Sequence, residues 1–339
     1  MTVLALARTE TAPTGLYPFD ARRHIRQVAD LIAEAFDRDL DGAGWGMIHD
    51  MRLAGWLSPV LGSLASLALF DDVVSGFVWL ERGQVIGNAT LQRVDYNGMR
   101  WRISNVAVRA EHRNRGIGRA LMQATLRAIA RERGAWAILQ VKTDNQGARR
   151  LYERLGFTAI CQEGVWKLPL LPAHLPEHDA GLELRPVAPA AWRPRLELAR
   201  AARSDLVEWL APLDEGAFEI TLEQRFGEWL GRVSGLHAIQ RWGAWEGDRL
   251  LGLVETSGSW LNDHHRLSLM VHPRARGQLE AALVARGLRS LADAPVQPIL
   301  AEQDGDHAAG VAALEAVGFQ PQRVFLTMRR QVTEKDAKG

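Results

Sequence analysis

Arginines and glycines stand together at the start of one predicted helix, in the stretch EHRNRGIGRALM that begins at residue 111. Arg113, Arg115 and Arg119 surround Gly116 and Gly118. Free N–H groups and the positive end of the dipole make a helix N-terminus favourable for an anion. Glycine lacks the Cβ that keeps a phosphate away from the backbone, and arginine adds charge-assisted donors. The stretch predicts a pyrophosphate site, although an arginine-flanked helix start on a solvated surface would look similar.

Composition narrows the choice of partners. The 339 residues include 41 Lys plus Arg and 40 Asp plus Glu, a formal net charge of +1, so no overall field attracts nucleic acid or a membrane. A single cysteine, Cys161, and a start without the pattern of a signal peptide predict a cytoplasmic protein. We expect no metal, because no Cys/His cluster has metal-ligand spacing.

Landmarks recur in the same order on both sides of a proline-rich segment, LPLLPAHLPEHDAG. The hairpin ERGQVIG is matched by EGDRLLG, and ERLGF, which ends at Phe157, is matched by EAVGF, which ends at Phe319. Matched landmarks lie about 160 residues apart, which indicates two copies of one domain. We predict domains at residues 16–168 and 182–331, joined by a linker at residues 169–181.

The periodicity of the first copy predicts its fold. Helical spacing in QVADLIAEAF and after the glycine turn alternates with strand-like runs such as QVIGNATLQRVD and AWAILQVKT. The order is strand, two helices, three antiparallel strands, helix, strand, helix and strand. We expect an α/β fold in each copy, with a mixed, mostly antiparallel sheet flanked by helices.

The motif NVAVRAEHRNRGIGRALM, followed by LQVKTDNQGARRLYERLGF, resembles the acetyl-CoA-binding core of the GCN5-related N-acetyltransferase (GNAT) superfamily. The resemblance implies two tandem GNAT folds and acetyl-CoA as a co-substrate. In that family an R/Q-x-x-G-x-G/A turn holds the coenzyme A pyrophosphate. The pyrophosphate contacts that it implies here come from Arg113, Asn114, Arg115, Gly116, Ile117, Gly118 and Arg119.

The resemblance also implies roles for residues outside the turn. Val106, Ala107 and Val108 match a splayed strand whose free backbone groups pair with the pantetheine amides, and one N–H polarises the thioester carbonyl. Asn145 matches a cofactor contact. Tyr152 matches the general acid for the leaving thiolate, although a core aromatic residue of an amphipathic helix is the alternative.

The general base and the acceptor site are less defined. Glu81, Asp95 and Glu111 are the nearest carboxylates, but each is also typical of a solvated surface, so we expect a water-mediated base. The acceptor side is expected in FDRDLDGAGWGMIHDMRLAGW, where Asp41 would attract a cationic amine and Trp45 would wall a pocket. An acidic loop with helix-packing tryptophans is the alternative.

The second copy departs from the motif, in MVHPRARGQLEAALVARGL. We align Leu279 with the second glycine of the first turn, where its side chain would obstruct a phosphate. His307 replaces the asparagine and Leu314 replaces the tyrosine, so the copy is expected to be degenerate and non-catalytic. His264 and His265 read as exposed loop histidines, with an acceptor site or a domain contact as the alternative.

These observations favour an N-acetyltransferase that transfers acetyl from acetyl-CoA directly to a primary amine of a small molecule or peptide, in a ternary complex. A non-catalytic CoA-binding sensor or scaffold remains an alternative, as does an acyltransferase with another acyl donor. We expect no nucleic acid or membrane partner, and a homodimer is compatible with the sequence.

Overall fold

The structure is a computed structural model that describes residues 12–36, 48–49, 51–52, 75–95, 97–176, 181–210, 212–219, 237–259 and 263–338. The chain divides into two compact units. The first unit comprises Met1–Ala159 and Thr327–Gly339, and the second comprises Ile160–Leu326.

Both units contain strands and helices. The strands are β1 (Gly15–Pro18), β2 (Ser75–Glu81), β3 (Gln84–Arg93), β4 (Arg100–Val108), β5 (Trp136–Lys142), β6 (Thr158–Leu168), β7 (Leu184–Pro186), β8 (His237–Glu246), β9 (Arg249–Ser259), β10 (His265–Val271), β11 (Ile299–Asp304) and β12 (Gln320–Gln331). The helices are α1 (Ala21–Phe36), α2 (Ile117–Arg131), α3 (Gln146–Arg154), α4 (Trp192–Ala202), α5 (Asp205–Leu210), α6 (Glu280–Arg289), α7 (Ala308–Ala316) and α8 (Glu334–Lys338).

In the first unit, β1 to β5 follow one another in the sheet. The pairs from β1 to β4 are antiparallel, and β4 pairs with β5 in parallel. One face is covered by α1, whose buried Val28 and Ile32 belong to the same apolar cluster as Val78. The start of α2 packs in a second cluster, where Ile117 joins Ile86. Apolar residues at helical spacing on α1 and α2, and near-continuous burial along β3, explain this arrangement.

In the second unit, β7 to β11 repeat this order, and β10 pairs with β11 in parallel. Leu198 of α4 packs with Leu250 and Leu253. The other large cluster contains Leu283 of α6 and Leu314 of α7. The expected α/β fold with a mixed, mostly antiparallel sheet is therefore confirmed, and two such units occur in tandem.

The division between the units falls within β6 and β12, so that most of β6 belongs to the second unit and the end of β12, from Thr327 onward, belongs to the first. In the second unit β6 pairs antiparallel with β11, from Leu168 opposite Ile299 onward. In the first unit the Nε2 of Gln140 lies 3.3 Å from the Oγ1 of Thr327. The Val332 N–H donates to a main-chain oxygen beside β5 at 2.8 Å. The domain ranges 16–168 and 182–331 and the linker at 169–181 stay predictions.

None of the described helices combines the length and the apolar character that crossing a bilayer demands.

Candidate active site

The predicted turn connects the end of β4 to the start of α2. A short 3₁₀ helix, Ala110–His112, follows the strand, and Asn114 and Gly116 then adopt positive φ angles of 63° and 80°. Gly116 is the N-cap of α2 and makes no side-chain capping hydrogen bond. Intrahelical bonding starts with the Ala120 N–H, which donates to the Gly116 oxygen at 3.0 Å. The N–H groups of residues 117–119 therefore lie at a helix start that no side chain caps.

Two of the arginines fold back onto the turn. The Nε of Arg113 donates to the Val108 oxygen at 3.1 Å, and a terminal nitrogen of Arg115 donates to the Glu111 oxygen at 3.1 Å. Arg119 is exposed on the first turn of the helix. These contacts brace the backbone of the turn and keep positive charge beside the helix N-terminus, where an anion is already favoured.

The two glycines of the turn serve different purposes. Gly116 needs its positive φ, although a Cβ there would meet nothing within 4 Å. A Cβ on Gly118 would lie 3.4 Å from the Cδ2 of Leu151 and 3.9 Å from the Cγ2 of Val108, which is ordinary contact. Packing within the protein thus does not demand glycine at position 118, since a Cβ would make only ordinary contacts there.

Strands β4 and β5 separate beside this turn. Their pairing runs from Arg100 opposite Trp136 to Ile103 opposite Leu139 and goes no further, although both strands continue. Residues 104–108 therefore have no strand partner on the β5 side among the described pairings. The side chains of Val106 and Val108 join the cluster under α2.

A bulge in β4 accompanies the separation. The register with β3 shifts between Asn88 and Thr90, and Asn105 has a φ of 52°. Asn88 is 1% exposed, and its Nδ2 donates to the Asn105 oxygen at 3.0 Å and to the Thr90 Oγ1 at 3.2 Å. Asn88 thus holds the bulge from the neighbouring strand. Asn88 was not among the site residues predicted from the sequence. Its only sign there is a single asparagine inside the apolar run of β3.

Helix α3 carries the other two implied site residues. The Oδ1 of Asn145 caps the helix by accepting from the Ala148 N–H at 3.1 Å, which leaves the side-chain NH₂ group to other partners. Tyr152 is 5% exposed, and its ring centroid lies 6.0 Å from that of Phe157. Burial raises the pKa of the Tyr152 phenol to about 12, so the phenol keeps its proton at neutral pH.

The candidate carboxylates make local contacts instead of facing the splayed strand. Glu81 lies 2.6 Å from the Nε2 of His112. Asp95 accepts from the Nε of Arg100 at 2.9 Å, at the end of β4 that is remote from the turn. Burial works to raise the pKa of Asp95, but hydrogen bonds from Arg100 lower it below its ordinary value. The carboxylate of Glu111 is 3.6 Å from the Nδ1 of His112. Asp41 and Trp45, the predicted acceptor-side residues, lie outside the described residues.

The turn of the second copy has a different register. Gly277 has a φ of 83° and matches Gly116, but α6 starts only at Glu280. A Cβ on Gly252 would lie 3.2 Å from the Cδ1 of Leu279, and the matching Gly87 has the same relation to Ile117, at 3.0 Å. The alignment of Leu279 with the second glycine is therefore wrong, because one extra residue in the turn places this leucine in the core.

Glu280 instead occupies the helix start of the second copy. It is 2% exposed, and its carboxylate accepts from the Gly277 N–H at 2.8 and 2.9 Å, from the Leu279 N–H at 3.2 Å and from the Nε2 of His307 at 2.8 Å. The Nε2 of Gln303 lies 3.1 Å from the Nδ1 of His307. Burial works to raise the pKa of Glu280, but the hydrogen bonds from His307 and Gly277 lower it below its ordinary value. An internal anion thus fills this helix N-terminus.

The loop histidines behave differently from each other. His265 is 2% exposed, with its Nε2 2.8 Å from the Pro295 oxygen, so the expectation that it is exposed is wrong. The side chain of His264 is partly exposed and lies 2.6 Å from Asp263. No group of three or more His, Cys, Asp or Glu side chains in the described parts of the chain could hold a metal ion.

Comparisons with known proteins agree with this geometry. Residues 31–157 match the family model of the acetyltransferase (GNAT) family. A mycothiol acetyltransferase from Corynebacterium aurimucosum is 26% identical over 144 residues, which cover 39% of this chain and 42% of that protein. The chain thus spans about two fifths of that relative. One from Streptomyces coelicolor is 26% identical over 282 residues, which cover 77% of this chain and 81% of that protein.

A solved structure described as a tandem GNAT protein from the clavulanic acid biosynthesis pathway shares the fold, with a TM-score of 0.54 and 19% identity. The match covers 95% of this chain and 99% of that one. The splayed strands and the glycine turn before α2 lie within the residues that match the GNAT family model. The chain contains two units with this fold in tandem.

Proposed function

We propose that the first unit is an N-acetyltransferase that binds acetyl-CoA at the N-terminus of α2 and transfers the acetyl group directly to a primary amine. The observation that carries this proposal is the uncapped helix start beside the splayed strands β4 and β5. The same fold in the second unit fills that place with Glu280, which makes the free helix start of the first unit a specific feature.

The residues of the turn fit a pyrophosphate. The N–H groups of residues 117–119 and Asn114, together with Arg115 and Arg119, would supply donors on one side, and Gly118 provides the clearance. Arg113 would contribute charge while it braces the turn. The backbone groups of Val106, Ala107 and Val108 that have no strand partner on the β5 side would hold the pantetheine, as a strand partner would. The NH₂ group of Asn145 would add one more contact.

Acetyl-CoA supplies an activated thioester when it is bound. A β4 N–H aimed at the thioester oxygen would stabilise negative charge there, and the bulge held by Asn88 fixes its direction. Tyr152 would donate a hydrogen bond to the sulfur as charge develops. Because the pKa of its phenol is about 12, well above that of an ordinary thiol, hydrogen bonding is favoured over a completed proton transfer.

In this proposal a water molecule removes the proton from the amine. Glu81 and Asp95 are engaged with His112 and Arg100, so neither is available next to the splayed strand. The same observation favours one other candidate, a CoA-binding sensor that does not catalyse. The proposed acceptor is the amine of a small molecule or peptide. The mycothiol acetyltransferase from Streptomyces coelicolor, which aligns with 77% of this chain, supports including mycothiol-related compounds in an acceptor screen.

The test measures thiol release from acetyl-CoA with a panel of amines, and also from longer acyl-CoA donors. Acetyl-CoA should raise the melting temperature of the wild-type protein, and at least one amine should cause thiol release. The Gly118→Leu variant should lose both effects, because the larger side chain would crowd the helix start that is proposed to hold the pyrophosphate. The exposed Glu315→Gln on α7 serves as a control. A melting shift without release from any amine would support the sensor, and a normal shift in Gly118→Leu would refute the site.

A further inference from the structure

The second unit contains a cavity of about 220 Å³ that the proposed acetyl transfer does not use. It lies over β9, β10 and β11, on the sheet face that also carries Leu253 and Met270. Its polar lining consists of Glu255, Ser257, His264, Arg266, Ser268 and Glu302. Both signs of charge and two hydroxyl groups therefore meet in one small space.

Strand register sets the spacing of these groups. Arg266 lies opposite Ser257 on one side and Leu300 on the other. Two residues further along β10, Ser268 lies opposite Glu255 and Glu302. Side chains two apart on a strand share a face, so these residues form two rows of three. The Cα atoms of Arg266 and Glu302 lie on a diagonal of roughly 8 Å, from the strand spacing and rise.

The charged side chains of the cavity differ in whether they form ion pairs. Glu255 accepts from the Nε of Arg241 at 2.5 Å, and the side chain of Arg241 is 6% exposed. Arg266 and Glu302 face the same cavity, yet across the described residues neither forms an ion pair within 4.0 Å. The Nε2 of His264 is buried without a hydrogen-bond partner among the described residues. The side chains of Arg266 and Glu302 therefore lie on one sheet face as a cation and an anion, and Arg266, Ser268 and Glu302 are exposed.

We propose that this cavity binds a small zwitterion of the amino-acid class. The guanidinium of Arg266 takes the carboxylate, for which its planar pair of donors is suited. The carboxylate of Glu302 takes the ammonium group, and the hydroxyl of Ser268 adds a hydrogen bond. The volume corresponds to roughly seven water molecules at about 30 Å³ each, which limits the ligand to a small metabolite.

A zwitterion fits this lining better than an ion of one sign. A simple cation would leave Arg266 facing it, and a simple anion would face Glu302, so each would meet a like charge. Since Glu280 fills the helix start of this unit, the cavity is a binding site without an acyl donor beside it. The inference therefore does not depend on acetyl transfer in the first unit.

The experiment is calorimetric titration of the full chain with free amino acids, with their decarboxylated amines and with their N-acetyl forms. At least one amino acid should bind, and its amine and its N-acetyl form should each bind roughly tenfold more weakly or worse, because each lacks one charged partner. Arg266→Gln and Glu302→Gln should each weaken the binding of the amino acid by a similar factor.

Matched variants locate the site. Arg131→Gln and Glu315→Gln change exposed charges elsewhere and should leave the affinity unchanged. Without ligand, Arg266→Gln and Glu302→Gln should keep the melting temperature of the wild type, which shows that the second unit is folded. Their melting shift with acetyl-CoA should persist, which separates this site from the acyl-donor site. Failure of all amino acids to bind, equal binding of the amines or N-acetyl forms, or binding unaffected by both variants would each overturn the proposal.

Discussion

Replacing Glu280 by glutamine tests whether an internal carboxylate stabilises the degenerate copy. The carboxylate accepts hydrogen bonds from Gly277, Leu279 and His307 in a site that is 2% exposed. Hydrogen bonds to a charged group contribute roughly 1 kcal/mol more than neutral ones, so three of them predict a loss of about 3 kcal/mol.

The assay is urea unfolding followed by tryptophan fluorescence, together with thermal melting. For a unit of this size the loss corresponds to a melting temperature lower by roughly 6–12 °C. Glu315→Gln on the exposed face of α7 is the matched control and should change the free energy of unfolding by less than about 0.5 kcal/mol. An equally small change in the free energy of unfolding for Glu280→Gln would show that this carboxylate does not stabilise the second unit.

The pH dependence provides a second readout of the same variant. Because the pKa of Glu280 lies below its ordinary value of 4.5 in the folded protein, folding favours the charged form. That stabilisation is fully present above the unfolded-state pKa and is lost as the pH falls through the folded-state pKa. The difference in stability between wild type and Glu280→Gln should therefore be constant above pH 4.5 and shrink below it.

Further predictions concern the first unit. Tyr152→Phe should slow acetyl transfer while the Kd for acetyl-CoA stays the same, because phenylalanine preserves the buried ring and removes only the hydroxyl; equal rates would rule out the role of the phenol. In the wild type, the rate should not decline near pH 10 from loss of this proton, since the pKa is about 12. Removal of residues 327–339 should lower the melting temperature and weaken acetyl-CoA binding although the turn is intact, because Thr327 and Met328 are each 1% exposed in this unit. An unchanged melting shift in the truncated chain would contradict the division into units.

The sequence predicted those features that depend on local pattern. The strand, turn and helix around Gly116 follow from apolar periodicity and from the positive φ that glycine tolerates. His307 and Asn145 also occupy matching positions, as predicted, because His307 directly precedes α7 and Asn145 caps α3. These features lie within one stretch of chain, where neighbouring residues determine the geometry.

Features that depend on distant partners were not predictable. The runs FTAICQEGVWKL and FQPQRVFLTMRR have the pattern of a last strand in either unit. The division of these strands between the units therefore follows from packing and not from local propensity. The role of Glu280 was hidden because a single inserted residue shifts Leu279 into the core. A glutamate in the first turn of a helix looks like an ordinary surface charge until its burial is known.

The most direct test of the central claim is the number of acetyl-CoA molecules that one chain binds, measured by calorimetric titration. If only the α2 turn binds the acyl donor, one molecule of acetyl-CoA should bind per chain. This binding should be lost in Gly118→Leu and retained in Tyr152→Phe. Two molecules per chain in the wild type, or one that still binds to Gly118→Leu with wild-type affinity, would contradict the assignment of acyl-donor binding to the α2 turn alone.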